Sequence, residues 1–396
     1  MSTFDPAAAT ASYIAQLPPD LLARAASYTH GNEWNLLWDF LVNIIVLVLI
    51  LRTGLLVSLR QKIEAKRPRP NLAAFLVVLV FLLIDGLITL PWQAYLSWWR
   101  EHQFGFSKQS FVSWLSDFSI ETIASSLFIA GAGTLIYLLA RRAGKLWWIG
   151  ATGLVAIGLA IAFLLAPVFF EPLINDYKPA PPGAILDAVA PLARAAGIPE
   201  GKIFVYNGSK QSSRYTANVS GVFGSARIAM SDTMFAQGVD VAAVRGVVAH
   251  EIGHYVHRDP FQLVGLYTLI AAIAFWLTDR LLMPIAQASA APGLSGVADP
   301  AALPIIFMLF TTVAFMATPV SNSMIRIFET RADAYSLELA REPDGMARAL
   351  VKTAEYRNPN PTRLEEIVFY DHPSVTRRIR RLMDWKATHP SEQSPP

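Results

Sequence analysis

The sequence predicts a mainly α-helical fold: a multi-span transmembrane helical bundle with one small α+β domain inserted into it. Hydrophobic residues make up 53% of the 396 residues and charged residues only 16%, against ~25% charged residues in an ordinary soluble domain. Six long apolar stretches account for much of that surplus. Apolar surface on this scale has to be covered by lipid or by protein, so a disordered, fibrous or purely soluble chain is excluded.

The charge and the cysteine count narrow the classes of function. The formal net charge is +3, from 33 basic and 30 acidic side chains, which is too small a surplus to indicate a nucleic-acid partner. The chain contains no cysteine. Disulfides, cysteine-ligated zinc and thiol catalysis are therefore excluded.

The transmembrane helices are predicted from length and apolar content. A helix needs ~20 mostly apolar residues to cross a bilayer, and six stretches meet or nearly meet that length: Trp34–Leu56, Leu72–Leu96, Thr122–Ala140, Leu146–Phe170, Phe261–Leu277 and Leu303–Val320. The fourth carries no charge along its 25 residues. The last two are the shortest, and for them a buried core helix is the alternative to a membrane span.

Polar side chains in these stretches indicate an aqueous interior. Asp39, Asp85 and Glu121 lie in or at the edge of the first three stretches, and carboxylates at membrane depth usually face a bundle interior or a water-filled cavity. We expect Asp39 and Glu121 to lie near the membrane interface and Asp85 to face inward. The spans are therefore predicted to surround an aqueous space.

The domain boundaries follow from these stretches. The predicted parts are an N-terminal segment at 1–33, transmembrane helices at 34–170, an α+β insert at 171–260, transmembrane helices at 261–320, a C-terminal helical part of the inserted domain at 321–386 and a disordered tail at 387–396. The N-terminal segment lacks the apolar core of a cleavable signal peptide.

The insert has the pattern of a compact unit of helices and short strands. Pro182–Ala196 has helical apolar spacing and stops before Gly197. Three segments predict the strands of a small antiparallel sheet: Ile203–Tyr206, Ala217–Gly221 and Arg227–Met230. Asp240 is expected to cap a following helix that runs to about Arg258.

That last helix contains the sequence His250-Glu-Ile-Gly-His254. Histidines at i and i+4 lie on one helix face, so two imidazole nitrogens can reach one ion at the ~2.0–2.1 Å that zinc prefers. Glu251 is close enough to take a proton from water on that ion, which is the general-base role in zinc proteases with this motif. A coincidental match is the alternative, but histidine is rare in this chain, at 7 residues.

A catalytic zinc site needs a third protein ligand and one open position. Downstream side chains offer candidates: Asp259, Asp279, Asp299, Glu329, Asp333, Glu338, Glu342, His257 and His372. Asp259 precedes Pro260 and is expected to end the helix or lie at the interface. Glu329 and Asp333 are spaced i and i+4 on a predicted helix, so one can bind the metal while the other holds a ligand imidazole. An ordinary solvated acid pair is the alternative.

Several segments, in this order, resemble the integral-membrane zinc metallopeptidases of the type I CAAX prenyl protease family in a bacterial form. They are Thr89–Tyr95, Glu101–Ser110, Asn207–Arg214, Ala226–Met234, the His250–His254 motif, Phe328–Asp333 and His372-Pro-Ser with Arg378. The resemblance covers most of the chain and is more specific than the pentapeptide alone. It implies that the insert is a gluzincin-like zinc-metallopeptidase domain.

The resemblance also implies the metal site. His250, His254 and Glu329 would be the ligands of one Zn²⁺ ion per chain, and Glu251 would be the base. Zinc would then be the cofactor of a peptidase whose partners are the lipid bilayer and peptide or protein substrates, including prenylated or membrane-bound ones.

Further roles are carried over from the matching positions. Asp333 would support a ligand from outside the metal shell, and His372 and Arg378 would line the site near the scissile carbonyl or the substrate. An extended peptide would add, by main-chain hydrogen bonds, to a strand formed by Ala217, Asn218, Val219, Ser220 and Gly221. Without the resemblance, His372 beside Asp371 would be interpreted as a surface ion pair.

Three features depart from the family. The edge strand reads Thr216-Ala217-Asn218 where the family often has Asn-Ala-Tyr, and a loop reads His372-Pro373-Ser374 in place of His-Pro-Pro. Eukaryotic relatives have seven spans around a large water-filled chamber, whereas six are predicted here. These differences bear on substrate recognition and leave the zinc chemistry unchanged.

The resemblance implies a membrane-embedded zinc endopeptidase that cleaves near the C-terminus of CAAX-type, isoprenylated peptides. Quality control of membrane or misfolded proteins is the alternative where prenylated substrates are absent. A transporter or channel with a structural zinc is the rival of another class, and a base beside an open coordination position argues against it. In a site-2-type protease the motif would lie in an apolar span, whereas Asp240 and Arg258 bracket this helix.

Two arguments disagree about membrane orientation. Two short loops on one predicted side carry eight basic residues: Arg60, Lys62, Lys66, Arg67, Arg69, Arg141, Arg142 and Lys145. The positive-inside rule therefore places the insert outside the cytoplasm. The resemblance places it on the cytoplasmic face of a bacterial inner membrane. We adopt the second orientation, because Arg326, Arg331 and Arg341 follow the last span and offset the imbalance.

Overall fold

A computed structural model describes residues 4–169, 175–210, 215–221, 226–289 and 293–390. The chain divides into two compact units. The first comprises Met1–Glu33, Ala160–Leu263 and Thr318–Pro396, and the second comprises Trp34–Leu159 and Val264–Ala317. The His250–His254 motif belongs to the first unit. Residues 211–214, within the family-like segment Asn207–Arg214, and residues 391–396 of the predicted tail lie outside the described residues.

The described part of the chain is mainly helical. Its α-helices are α1 Pro6–Ala15, α2 Pro19–Thr53, α3 Leu55–Glu64, α4 Pro70–Gln93, α5 Arg100–Gln103, α6 Phe111–Arg142, α7 Trp147–Phe169, α8 Ala184–Ala195, α9 Val241–Val256, α10 Asp259–Ala288, α11 Leu303–Ala340, α12 Pro343–Thr353, α13 Arg363–Phe369 and α14 Val375–Thr388. Its strands are β1 Tyr177–Pro179, β2 Ile203–Tyr206, β3 Ala217–Ser220 and β4 Arg227–Ser231. A π-helical stretch, Ala94–Trp99, continues α4.

Six helical segments among the described residues are long and apolar enough to cross a membrane: Pro19–Thr53, Pro70–Gln103, Phe111–Arg142, Gly144–Phe163, Asp259–Ala288 and Pro300–Ala340. They correspond one to one to the six predicted stretches, although Phe170 of the fourth lies outside the described residues. At ~1.5 Å per residue, the 30-residue α10 and the 38-residue α11 exceed the ~30 Å hydrocarbon core. The two short predictions are thus the apolar parts of longer helices.

The unit formed by Trp34–Leu159 and Val264–Ala317 is built from apolar helices. Its buried core includes Val77, Phe81 and Ile305, while side chains such as Leu87, 71% exposed, point outward as expected for contact with lipid. The carboxylates of the first and second spans, Asp39 and Asp85, differ in their hydrogen bonding. Asp39 accepts a hydrogen bond from Trp92 at 2.9 Å, whereas Asp85 Oδ1 is buried with no hydrogen-bond partner among the described residues.

The sheet of the first unit differs from the expected one. It has four strands in the order β1-β2-β4-β3, and β2 pairs with β4 in parallel, while the other two pairings are antiparallel. The prediction of a three-stranded antiparallel sheet was therefore wrong. β4 lies between β2 and β3. Because β3 pairs with one edge of β4, β2 can pair only with the opposite edge. β1 is three residues long and contains Pro179, so it shows no alternation of apolar and polar residues from which a strand could be predicted.

Helix α9 carries the motif and is held by a capped N-terminus and by one buried face. The Asp240 side chain accepts a hydrogen bond from the Ala243 N–H at 3.1 Å, as a helix N-cap does. Val244, Val248 and Ile252 are spaced four residues apart and are fully buried against the sheet and α8. One face of α9 is thus anchored in the core, and the predicted capping residue is confirmed.

Gly253 lets α9 approach α11 closely. A Cβ atom at this position would lie 2.9 Å from the Ala332 Cα and 3.2 Å from the Tyr335 Cβ. Ala332 lies between the two acidic residues of α11 that were predicted to serve the metal, Glu329 and Asp333. The glycine inside the motif therefore sets the distance between the histidines and those carboxylates.

We expect Gly253→Ala to destabilise the protein by ~1–3 kcal/mol, the usual effect of overpacking, and to weaken metal binding because α9 is displaced from α11. Thermal unfolding and metal content of the purified variant measure the two effects. Gly265→Ala is the matched control, since a Cβ there meets no atom within 4 Å. A Gly253→Ala protein with unaltered stability and metal content would contradict this role.

Candidate metal centre

Three predicted side chains converge on one point. His250 and His254 lie on α9 and Glu329 lies on α11, and their ligand atoms are all within 4.8 Å of one another. The two Nε2 atoms are 3.2 Å apart, and each lies 3.3 Å from a different oxygen of Glu329. The centre contains two nitrogens and one carboxylate, which is the donor set of many catalytic zinc sites. These residues therefore fit a metal ion.

Each imidazole is oriented by a carboxylate behind it. His250 Nδ1 lies 3.0 Å from Asp333 Oδ1, and His254 Nδ1 lies 2.8 Å from Asp259 Oδ2. A carboxylate on Nδ1 favours the tautomer whose Nε2 carries the free lone pair, as in other metal-binding histidines. Both Nε2 lone pairs are thereby turned toward the shared point.

Asp259 was one of the candidate metal ligands, but its position behind His254 was not predicted from the sequence. It was expected to end a helix or lie at the interface, but it is the first residue of α10 and only 3% exposed. Arg258 turns the chain with a φ of 58°, a left-handed conformation that is uncommon for a residue with a side chain. The turn brings Asp259 back beside His254. The sequence shows an acidic residue five positions after the second histidine, but no pattern in it indicates the turn that brings this residue back.

Two arginines hold the orienting carboxylates. Arg331 Nη2 is 2.5 Å from Asp259 Oδ1. Arg378 binds Asp333 through Nε at 2.8 Å and Nη2 at 2.6 Å, and its Nη1 is 3.5 Å from Glu329 Oε2. Charged pairs of this kind are strong and directional. The guanidinium of Arg378 is thus engaged with protein carboxylates, and its expected contact with a substrate stays a prediction.

The carboxylates favour a positive charge on the two imidazoles. Burial lowers the pKa of His250, but Glu329 and Asp333 outweigh it and raise that pKa to about 9. Burial likewise lowers the pKa of His254, but Asp259 and Glu329 raise it to about 10. A proton or another cation is therefore strongly favoured between these groups, and metal binding must displace protons.

Glu251 lies within electrostatic reach of the centre. Burial raises its pKa, and the neighbouring His250 and His254 oppose that shift. A carboxyl group with a raised pKa is better matched to proton transfer near neutral pH than an ordinary one. The arrangement is suited to a base that acts on a group at the shared point.

His372 reaches the centre from the loop before α14. Its Nε2 lies 3.2 Å from Glu329 Oε1, and its Nδ1 lies 2.7 Å from Asp371 Oδ1. Burial raises the pKa of Asp371, but His372 lowers it to about 2, so this carboxylate is ionised and orients the ring. The pair with Asp371 and the position at the centre, which were alternatives in the sequence, occur together.

We expect His372→Ala to lower kcat by ~10²–10³-fold, the usual effect of losing one hydrogen-bond donor to an oxyanion, while bound metal remains. Kinetics and elemental analysis of the purified variant test this. His389→Ala is the control. The His389 ring stacks on Trp385, with ring centroids 4.5 Å apart, and is not among the side chains that converge at the metal centre. An unchanged kcat with intact metal would leave His372 only its pair with Asp371.

The expected substrate strand is at an edge of the sheet. β3 pairs with β4 on one side, and no strand of the described chain covers its other side. Gly221 follows the strand with a φ of 112°. Within the described residues, Asn218 Oδ1 and Ser220 Oγ are buried without hydrogen-bond partners. The strand is thus available for pairing, and its role in binding a peptide stays a prediction.

Two family models match the chain. The family model described as Peptidase family M48 matches residues 179–386. The model described as CAAX prenyl protease N-terminal, five membrane helices, matches residues 7–176. In that second region the described residues contain four of the six candidate membrane helices, one fewer than the description of the family gives.

Individual proteins match along most of the chain. The uncharacterized metalloprotease YhfN of Bacillus subtilis is 27% identical over 92% of this chain and 86% of its own length. CAAX prenyl protease 1 of Saccharomyces cerevisiae is 29% identical over 76% of this chain and 69% of its own. The crystal structure of S. mikatae Ste24p superposes with a TM-score of 0.67 at 22% identity, over 79% of this chain and 76% of that one. This last likeness shows a shared fold.

Proposed function

The chain belongs to peptidase family M48 and is an integral multi-pass membrane metalloendopeptidase; we propose that its metal is one zinc ion held by His250, His254 and Glu329. The observation that carries the proposal is the convergence of two Nε2 atoms and one carboxylate within 4.8 Å. When bound, a zinc ion lowers the pKa of water and polarises a carbonyl group.

The reaction assigned to the chain is hydrolysis of a peptide bond. Glu251 takes the proton of the attacking water and later passes it to the leaving amine. His372, oriented by Asp371, donates a hydrogen bond to the oxygen on which negative charge develops. Asp333 and Asp259 keep the two ligand imidazoles in place.

The substrate class that we propose is the C-terminal CAAX-type peptide. Support comes from the curated relatives, several of which are named CAAX prenyl protease 1 or its homologue. The second candidate is quality control of membrane proteins. YhfN, which matches over 92% of this chain, is named as a metalloprotease without a CAAX substrate, so its name does not restrict the substrate to CAAX-type peptides.

Hydrolysis of three quenched peptides by purified protein tests the proposal. They are a farnesylated CAAX peptide, the same peptide without the lipid, and an unrelated peptide of equal length. Zinc-dependent cleavage of the first, at a kcat/KM at least tenfold above the others, is the result expected of a processing enzyme. Equal cleavage of all three supports quality control. Failure to cleave any of them, with zinc bound, would contradict both proposed substrate classes.

The proposed localisation is the inner membrane of a bacterium, with the catalytic unit facing the cytoplasm. We therefore expect a C-terminal alkaline phosphatase fusion to be inactive in intact cells and a C-terminal green fluorescent protein fusion to fluoresce. A phosphatase fusion active in the periplasm would show that the basic residues of the loops at 57–71 and 141–145, and not the family architecture, set the orientation.

A further inference from the structure

A second group of metal-ligating side chains lies outside the catalytic centre. His30 and Glu33 are one turn apart on α2, and Glu365 lies in the first turn of α13. One ligand atom from each lies within 4.8 Å of the others. In the described part of the chain, only one other trio of His, Asp or Glu has this geometry, and it is the catalytic one.

The group brings two carboxylates together, and that of Glu33 is largely shielded from water. The Glu33 side chain is only 11% exposed, and its ion pair among the described residues is with His30 Nδ1 at 3.9 Å. Glu365 is close by, with one oxygen accepting the Thr362 N–H at 2.7 Å. Two neighbouring carboxylates repel each other, and a buried charge is unfavourable unless it is closely paired. A cation among the three side chains would remove both penalties.

Tyr370 adds a second, independent sign of a missing ligand. Its side chain is about nine-tenths buried, at 9% exposure, and its hydroxyl has no hydrogen-bond partner of normal geometry among the described residues. The nearby Thr29 hydroxyl donates to Ala25 O and accepts from the Asn358 N–H, so it can offer Tyr370 only its second lone pair. Burial and the charges of Glu33 and Glu365 raise the pKa of Tyr370. The phenol is therefore a protonated donor within electrostatic reach of the two carboxylates, where water on an ion could accept its hydrogen bond.

We propose that His30, Glu33 and Glu365 form a second cation site, separate from the catalytic one, for a divalent transition metal such as zinc. One imidazole with two carboxylates is a donor set that suits such ions. Ligand atoms ~2.1 Å from one ion are at most ~4.2 Å apart, so small side-chain rotations close the group around it. The half-exposed ring of His30 gives the ion access from solvent.

An ion at this second site joins two distant parts of the chain. It links α2 to α13, and His372 follows Glu365 by seven residues. A ligand that binds only the folded state stabilises it. Occupancy of the second site therefore holds the start of the segment that carries His372 to the catalytic centre.

Zinc counting by equilibrium dialysis and elemental analysis tests the proposal on the full, metal-stripped protein. The wild type is expected to bind two zinc ions per chain, and Glu33→Gln and Glu365→Gln one each. Glu365→Gln is the gentlest change, because glutamine also serves at this position of the capping box with Thr362. Glu329→Ala should lose the other ion, and His389→Ala, the control, should bind two.

Two results overturn the second site: saturation of the wild type at one zinc ion, or two zinc ions in both Glu33→Gln and Glu365→Gln. Thermal unfolding without metal identifies any variant that fails to fold, and the other glutamine variant then decides. If Glu329→Ala retains two ions while the glutamine variants lose one, the catalytic assignment is wrong and the second site stands.

Discussion

Glu251→Gln is expected to bind a full complement of zinc and to lose hydrolysis by ~10²–10⁴-fold, the range of general acid–base catalysis. Glu251 is not among the three side chains whose ligand atoms converge, so its loss should not release the ion. Glutamine keeps the shape of the side chain and removes only its capacity to take a proton. Initial rates on a quenched peptide, with zinc content measured on the same sample, give both quantities.

Glu338→Gln is the matched control for that experiment. It makes the same change on an exposed residue of α11 and should leave both quantities as in the wild type. Full activity of Glu251→Gln with zinc bound would end the mechanism proposed here. Loss of zinc in that variant would instead place Glu251 among the ligands.

Glu329→Ala is expected to reduce the zinc affinity of the catalytic centre by well over the ~10–100-fold that follows from losing an orienting partner. Each oxygen of Glu329 faces one ligand nitrogen at 3.3 Å, and its removal leaves two ligands where three are needed. Asp333→Ala and Asp259→Ala remove only the partners behind the rings. We expect each of them to weaken zinc binding ~10–100-fold.

Competition with a zinc chelator ranks these variants. The expected order of affinity is wild type, then Asp333→Ala and Asp259→Ala, then Glu329→Ala, with Glu338→Ala equal to the wild type. Glu329→Ala with unaltered affinity would transfer the third ligand to another acid.

The spacing of the two histidines on α9 made much of the candidate centre predictable. Because residues i and i+4 share a helix face, the two histidines follow from helix geometry alone. The same rule left Glu329 and Asp333 as equal candidates, and only the packing of α11 on α9 separates them: Glu329 faces both Nε2 atoms, while Asp333 lies behind His250.

The sequence could not predict features set by the chain path between elements. Asp259 reaches His254 through a left-handed residue, and no local pattern requires Arg258 to adopt that conformation. The parallel pairing of β2 with β4 depends on the side of β4 that β3 takes. Gly253 had no visible role until Ala332 was found against it. In each case the deciding contact joins residues that are not related by a helical or strand period.

Anomalous scattering at the zinc edge from crystals of the purified protein locates the metal. We expect a zinc peak within ~2.0–2.2 Å of His250 Nε2, His254 Nε2 and a carboxylate oxygen of Glu329. That peak should persist in Glu251→Gln and disappear in Glu329→Ala. Zinc in the protein without a peak between these three side chains would show that they do not form the metal site.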